Sequence, residues 1–136
     1  MPAHNSTFPW LSYYGNYKFF EDRMREHSKV QDIKNIDTGL YNVLLVDGRV
    51  LRVFICECYA FGDASCHETV ENYGSVNAVI ISSNWCGYDF EMKLARIQER
   101  VGVFDIKGFM VAINKLNYWE YMTEEERDRL KRSQAS

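Results

Sequence analysis

The sequence predicts an α/β fold: a single domain, spanning residues 1–136, whose mixed β-sheet is flanked by helices. Three observations carry this expectation. Two β-rich runs, residues 40–46 and 50–61, are separated by Asp47-Gly48, a two-residue hairpin signal that makes the strands antiparallel. A later run, residues 76–82, is nearly all apolar, as strands covered on both faces are. Segments with helical spacing stand between and after these runs, so the later strands join through crossover helices and lie parallel.

The bulk properties agree with one domain. A chain of 136 residues, 46% hydrophobic and 26% charged, is long enough to bury a core of its own. Its net charge of -3 provides no overall basic field, which weakens a nucleic-acid reading while leaving room for a local patch. No apolar run reaches the ~18 residues of a membrane helix, and the N-terminus lacks the charged-then-apolar order of a signal peptide. The chain therefore reads as soluble, intracellular and cytoplasmic, with no membrane partner and reduced thiols. Cys56, Cys58, Cys66 and Cys86 form neither C-x-x-C nor any common zinc spacing, and read as buried core thiols; a metal site that adds His67 stays open as the alternative.

Taken in order, residues 1–15 form an aromatic N-terminal segment with Phe8, Trp10, Tyr13 and Tyr14. Steps of three and four through Tyr13, Tyr17, Phe20, Met24 and His27 predict a helix over about 16–27, with His27 at its end. Residues 28–39 read as polar and irregular, with a short strand near 30–33 and a turn at Asp37-Thr-Gly39. After the hairpin, Ser65-x-x-Glu68 is a capping box that opens a helix over 66–73 and Gly74 closes it. Residues 83–87 read as a loop. Asp89 caps a helix whose stripe is Phe90, Leu94, Ile97 and Val101, stopped by Gly102. A strand at 103–106 and a helix at 107–114 follow, with Phe109, Met110 and Ile113 inward. Thr123-x-x-Glu126 is a second capping box, opening a charged helix to about residue 132. Residues 107–136 thus form a helical extension.

The second hairpin strand holds the anomaly. Arg49-Val-Leu-Arg-Val-Phe-Ile-Cys-Glu-Cys-Tyr-Ala-Phe61 is almost wholly apolar yet carries Glu57, and a carboxylate in such a strand must be paired, hydrogen-bonded or metal-bound. Alternation places Glu57 with Val53 and Ile55, and Cys56 and Cys58 with Phe54.

This order of elements, with Tyr41-Asn42 in the first hairpin strand and Glu57-Cys-Tyr59 in the second, resembles the restriction-endonuclease-like superfamily of PD-(D/E)xK nucleases over residues 16–106. The resemblance implies an αβββαβ core with the site on the central hairpin. It places Asn42 where the family has Asp and Tyr59 where it has Lys, leaving Glu57 as the surviving acid. Such enzymes hold Mg²⁺ or Mn²⁺ with two or three carboxylates, and the lysine helps activate water. By the resemblance, Glu57 and Asn42 are the metal ligands, Tyr59 stands at the lysine position, Glu21 is a candidate acid from the first helix, and Lys93 is a candidate relocated lysine.

Each residue has a plainer reading beside the catalytic one. Glu57 pairs with Arg52 or Lys93, Asn42 satisfies backbone, Glu21 makes an exposed i,i+4 pair with Arg25, and Lys93 is surface charge. Asp63 and Glu68 offer a second acidic set with Glu57, although a turn and a helix cap account for both. Ser82, Ser83 and Asn84 end the apolar strand, on the side where open α/β sheets take ligands.

Two functions follow. One is a non-catalytic nuclease-fold protein that binds nucleic acid or a protein partner; the other is a metal-dependent DNA or RNA endonuclease with a drifted site around Glu57. The first is favoured, because the loss of two signature positions removes charges that phosphodiester cleavage needs. The aromatic clusters Trp10, Tyr13, Tyr14 and Tyr118, Trp119, Tyr121 then suit one partner or homodimer surface, with packing against the domain's own core as the alternative.

Overall fold

Alternating side chains along the two hairpin strands drive the architecture, because both faces of the strands carry apolar residues and both must be covered. The computed structural model describes residues 7–58, 60–82 and 87–135. The elements run α1 (Tyr14–Glu26), β1 (Val30–Asp37), β2 (Leu40–Leu45), β3 (Val50–Cys56), β4 (Ala60–Phe61), α2 (Asp63–Tyr73), β5 (Ala78–Ile81), β6 (Gly87–Tyr88), α3 (Phe90–Gln98), β7 (Gly102–Phe104), α4 (Ile106–Ala112), a 3-10 turn (Tyr118–Glu120) and α5 (Glu124–Ala135). The main sheet has the order β1-β2-β3-β5-β7, and β4 pairs with β6 in a small second sheet. Strands β1, β2 and β3 are antiparallel neighbours, whereas β5 and β7 run parallel to β3. The single mixed α/β domain expected from the sequence is the one observed.

The register sorts the core into two layers. Leu40 faces Phe54 and Tyr41 faces Val53 across the hairpin, so each strand sends alternate residues to opposite sides. On one side Tyr41, Val43, Val53, Ile55 and Ile80 meet Phe20 and Met24 of α1 and Phe109 of α4. On the other, Leu40, Phe54, Cys56 and Val79 meet Trp10, Cys66 of α2 and Met92 of α3. Each such fully buried side chain contributes about 1.5–3 kcal/mol from removal of apolar area from water. Cys56 and Cys58 share the second layer, as alternation requires; Cys86 lies outside the described residues.

Local chemistry explains where elements begin and end. Gly39 turns the chain between β1 and β2 with φ 71, and a Cβ there would stand 2.5 Å from the Ile55 carbonyl oxygen, so only glycine fits. The expected cap at Thr123 forms as read: Glu126 N–H donates to the Thr123 hydroxyl at 3.2 Å and Thr123 N–H to the Glu126 carboxylate at 3.0 Å.

Several expectations need correction. Strand β1 extends over Val30–Asp37, longer than predicted, because it is an edge strand with a polar outer surface that leaves little periodic signal. Strand β3 stops at Cys56, since the N–H of the next residue donates to Trp10 instead of a neighbouring strand. Helix α2 starts a turn early, with Gly62 before its first residue; the Ser65 hydroxyl accepts from Gly62 N–H at 3.4 Å and so acts from inside the first turn. Gly102 belongs to β7, where a Cβ would strike the Phe104 ring. Helix α3 ends before it, through Arg100 at φ 62; of the predicted stripe Phe90 is buried, but Leu94, Ile97 and Val101 are only half-buried, and Met92 and Lys93 are the other buried residues of the helix.

The two aromatic clusters do not form one patch. Trp10 is buried in the layer under α2 and α3, whereas Tyr118 is buried in the opposite layer with Trp119 and Tyr121 packed against it. Tyr13 and Tyr14 remain exposed. Most of these rings close the domain's own core, because its sheet ends need cover. Among the described residues, no helix is long and apolar enough to cross a membrane.

Candidate functional site

The segment before α1 meets the carboxyl ends of β3 and β5 in a hydrogen-bonded cluster of polar side chains. Glu57 follows β3, is 1% exposed, and donates its backbone N–H to the Trp10 carbonyl at 2.9 Å. Its side chain points to the α1 side of the sheet, two positions on from Ile55. There one carboxylate oxygen accepts from Tyr13 N–H at 3.3 Å and from the Asn16 side-chain amide at 3.2 Å. Tyr13 is the residue that precedes α1 and offers no side-chain cap of its own. Glu57 therefore caps α1 from another part of the chain: its charge sits where the helix dipole is positive and unpaired N–H groups need acceptors.

Ser12 and Ser82 extend this cluster. Ser82 N–H donates to the Cys56 carbonyl at 3.0 Å, ending the β3–β5 pairing. Its hydroxyl lies 2.6 Å from that of Ser12, and Ser12 N–H donates to the Tyr17 hydroxyl at 2.9 Å. Burial pushes the Tyr17 phenol above its usual range, the nearby Glu57 charge adds to this, and the Ser12 hydrogen bonds oppose it. These side chains are held by backbone of the segment before α1 and of β3, an arrangement that fixes that segment across the sheet end.

The other predicted residues that the structure describes lie elsewhere. Asn42 is half-buried and stands opposite Arg52, on the Leu40 side of the sheet. It therefore occupies the face opposite to the Glu57 carboxylate, displaced along the strand by roughly 16 Å. Tyr59 lies outside the described residues. Glu21 is half-buried, accepts from the Tyr41 hydroxyl at 2.7 Å and lies 3.8 Å from Arg25. Burial and that carboxylate push the Tyr41 phenol well up. Asp63 is exposed and pairs with Arg96 at 3.5 Å, and Glu68 lies on α2.

Lys93 departs most from a surface charge. Its side chain is 1% exposed, and Nζ lies 3.0 Å from Glu126 of α5 and 4.9 Å from the centre of the Phe104 ring. Tyr88 donates to the second Glu126 oxygen at 2.7 Å. Burial lowers the Lys93 ammonium below its usual value, with Glu126 acting against the shift. Burial also opposes the Glu126 charge, but Lys93, Thr123 and Tyr88 prevail and hold its carboxyl below the usual range.

The donor set can be compared with the two or three carboxylates of a Mg²⁺ phosphodiesterase. Glu57 is engaged by α1, Asn42 lies across the sheet, and among the described residues no group of three or more His, Cys, Asp or Glu side chains gathers to hold a metal. These residues do not fit such a site. The sequence singles out Glu57 and Ser82, for other roles, but not Ser12, Asn16 or Tyr17 as their partners; the usable signal was that α1 begins without a Ser, Thr, Asp or Asn at its cap position. Compared with known proteins, the chain matches no family model, no curated protein and no solved structure.

Proposed function

We propose that this chain is a non-catalytic domain on a restriction-endonuclease-like scaffold, and that it acts by binding a macromolecular partner. One observation carries the reading: the surviving motif acid, Glu57, hydrogen-bonds the start of α1, while Asn42 projects from the other face of the hairpin. Two ligands on opposite faces of one sheet cannot share an ion. Lys93, the relocated lysine of the resemblance, is likewise committed to Glu126. Transition-state stabilisation of phosphodiester cleavage needs several converging charges, and these are dispersed.

The test is a cleavage assay on single- and double-stranded DNA and on RNA with Mg²⁺ or Mn²⁺. The expected result is no cleavage above background. Metal-dependent cleavage that disappears in Glu57→Gln, while circular dichroism shows the variant folded, would overturn the reading in favour of a drifted endonuclease.

A further inference from the structure

Strand β1 ends the main sheet, with β2 as its one neighbour there. At eight residues it is nonetheless the longest strand of that sheet, and apart from Val30 and Ile33 its side chains are exposed. An open edge of this length is a template for another strand. The ladder shows which backbone groups it offers. Val46 N–H donates to the Lys29 carbonyl on the β1 side, whereas Leu45 N–H donates to the Arg49 carbonyl on the β3 side. Even-numbered residues of β2 therefore bond to β1 and odd-numbered ones to β3. Asp32 and Lys34 stand opposite Leu44 and Asn42 and spend their backbone groups on β2. Ile33 and Asn35, between the register shifts at either end of β1, turn theirs outward.

The side chains select the strand that fits. Lys29, Asp32, Lys34 and Asp37 have no ion-pair partner among the described residues, whereas the charges of neighbouring α1 pair within the helix, Lys18 with Asp22 and Arg23 with Glu26. Laid antiparallel on a second copy, with Ile33 opposite Ile33, the segment meets its own complement. Asp32 faces Lys34, Gln31 faces Asn35, Val30 faces Ile36 and Lys29 faces Asp37. The axis then falls on an outward-facing residue, so the two Ile33 backbones form a hydrogen-bonded pair. Centring on Asn35, the other outward-facing residue, sets Lys34 against Ile36 and Ile33 against Asp37. An edge lysine ordinarily repels other strands; in the Ile33 register Lys34 meets a carboxylate instead. On the α1 side, half-buried Ile33 already packs against the core, and its counterpart continues that layer.

We propose that β1 pairs antiparallel with β1 of a second copy of this chain, a two-fold dimer that joins the two five-stranded sheets into one. The dimer does not depend on the binding reading above. The test is analytical ultracentrifugation of the full chain, with amide hydrogen exchange followed by NMR. A monomer–dimer equilibrium should appear below about 1 mM chain, and the Ile33 and Asn35 amides should gain protection as the dimer fills. Asp32→Lys and Lys34→Asp each set like charges face to face at two symmetry-related places, so either alone should weaken association about tenfold or more. An equimolar mixture of the two variants should associate about as tightly as the parent, because each supplies the charge that the other lacks. Circular dichroism checks that both variants are folded.

A chain that stays monomeric at about 1 mM overturns the proposal. So does a dimer that leaves the Ile33 and Asn35 amides open, since it uses another face, and so do folded variants that fail to recover on mixing. Protection of the two amides only by an added peptide of alternating valine and threonine, with the chain itself monomeric, gives the edge to a foreign strand and likewise overturns it.

Discussion

At the scale of single residues, Glu57 shows how a buried acid becomes a structural necessity. Its partners at the start of α1 are 44 and 41 positions away, so the oddity of one carboxylate in an apolar run was legible while the identity of its donors was not. Glu57→Ala should cost about 2–3 kcal/mol, because Tyr13 N–H and the Asn16 amide lose their acceptor in a buried setting. Glu57→Gln keeps an acceptor oxygen and loses only the charge, so about 1 kcal/mol is expected. Denaturant unfolding at neutral pH measures both; a glutamine variant more stable than the parent would show that the carboxylate is not the cap described. Lys93 was misread for the same reason, since Glu126 lies 33 positions away and nothing local distinguishes a lysine that α5 will bury from one left in water.

At the scale of elements, α5 is held by one acid with three duties. Glu126 completes the cap with Thr123, accepts from Tyr88 and pairs with Lys93. Glu126→Gln should therefore destabilise by about 3 kcal/mol, since it leaves a buried ammonium without its mate. Lys93→Met should cost less, and combining the two substitutions should recover part of the loss; additive losses in a double-mutant cycle would deny the coupling. The pH dependence has a definite sign. The Glu126 carboxyl lies below its ordinary 4.5 when folded, so its contribution is complete above that pH and lost as pH falls through the folded value. Hydrogen exchange of α5 amides should accelerate on the acid side before the central strands open. Elements with strong local signals, the Asp47-Gly48 hairpin, the Thr123 cap and the all-apolar β5, were readable. Strand β1 was readable only in its first half, and the two-residue strands β4 and β6 were not read as separate strands, since an edge strand and a short pairing depend on neighbours more than on composition.

At the scale of the whole molecule, phenol burial makes alkali the more revealing challenge. Burial raises the hydroxyls of Tyr17, Tyr41, Tyr73, Tyr88 and Tyr118 above their ordinary 10.0. The folded state keeps these protons where the unfolded chain gives them up, so their stabilisation is whole below pH 10.0 and declines as pH rises through the folded values. Lys93 acts the other way, its burial cost easing toward 10.5, but it is one group against five. Tyrosinate absorbance should rise in two stages, exposed rings first and the buried set together with loss of the fold; a single smooth titration with the fold intact would contradict this. The α/β class and the parallel order beyond β3 followed from pattern alone, whereas the closure of the sheet's carboxyl end did not. That closure also sets a timetable. Ser12 meets Ser82 70 positions later, so during synthesis the residues just before α1 have no seat until β5 has emerged. Helix α1 must wait uncapped for Glu57, so the stretch that leads into α1 is put in place only after the strands that follow it.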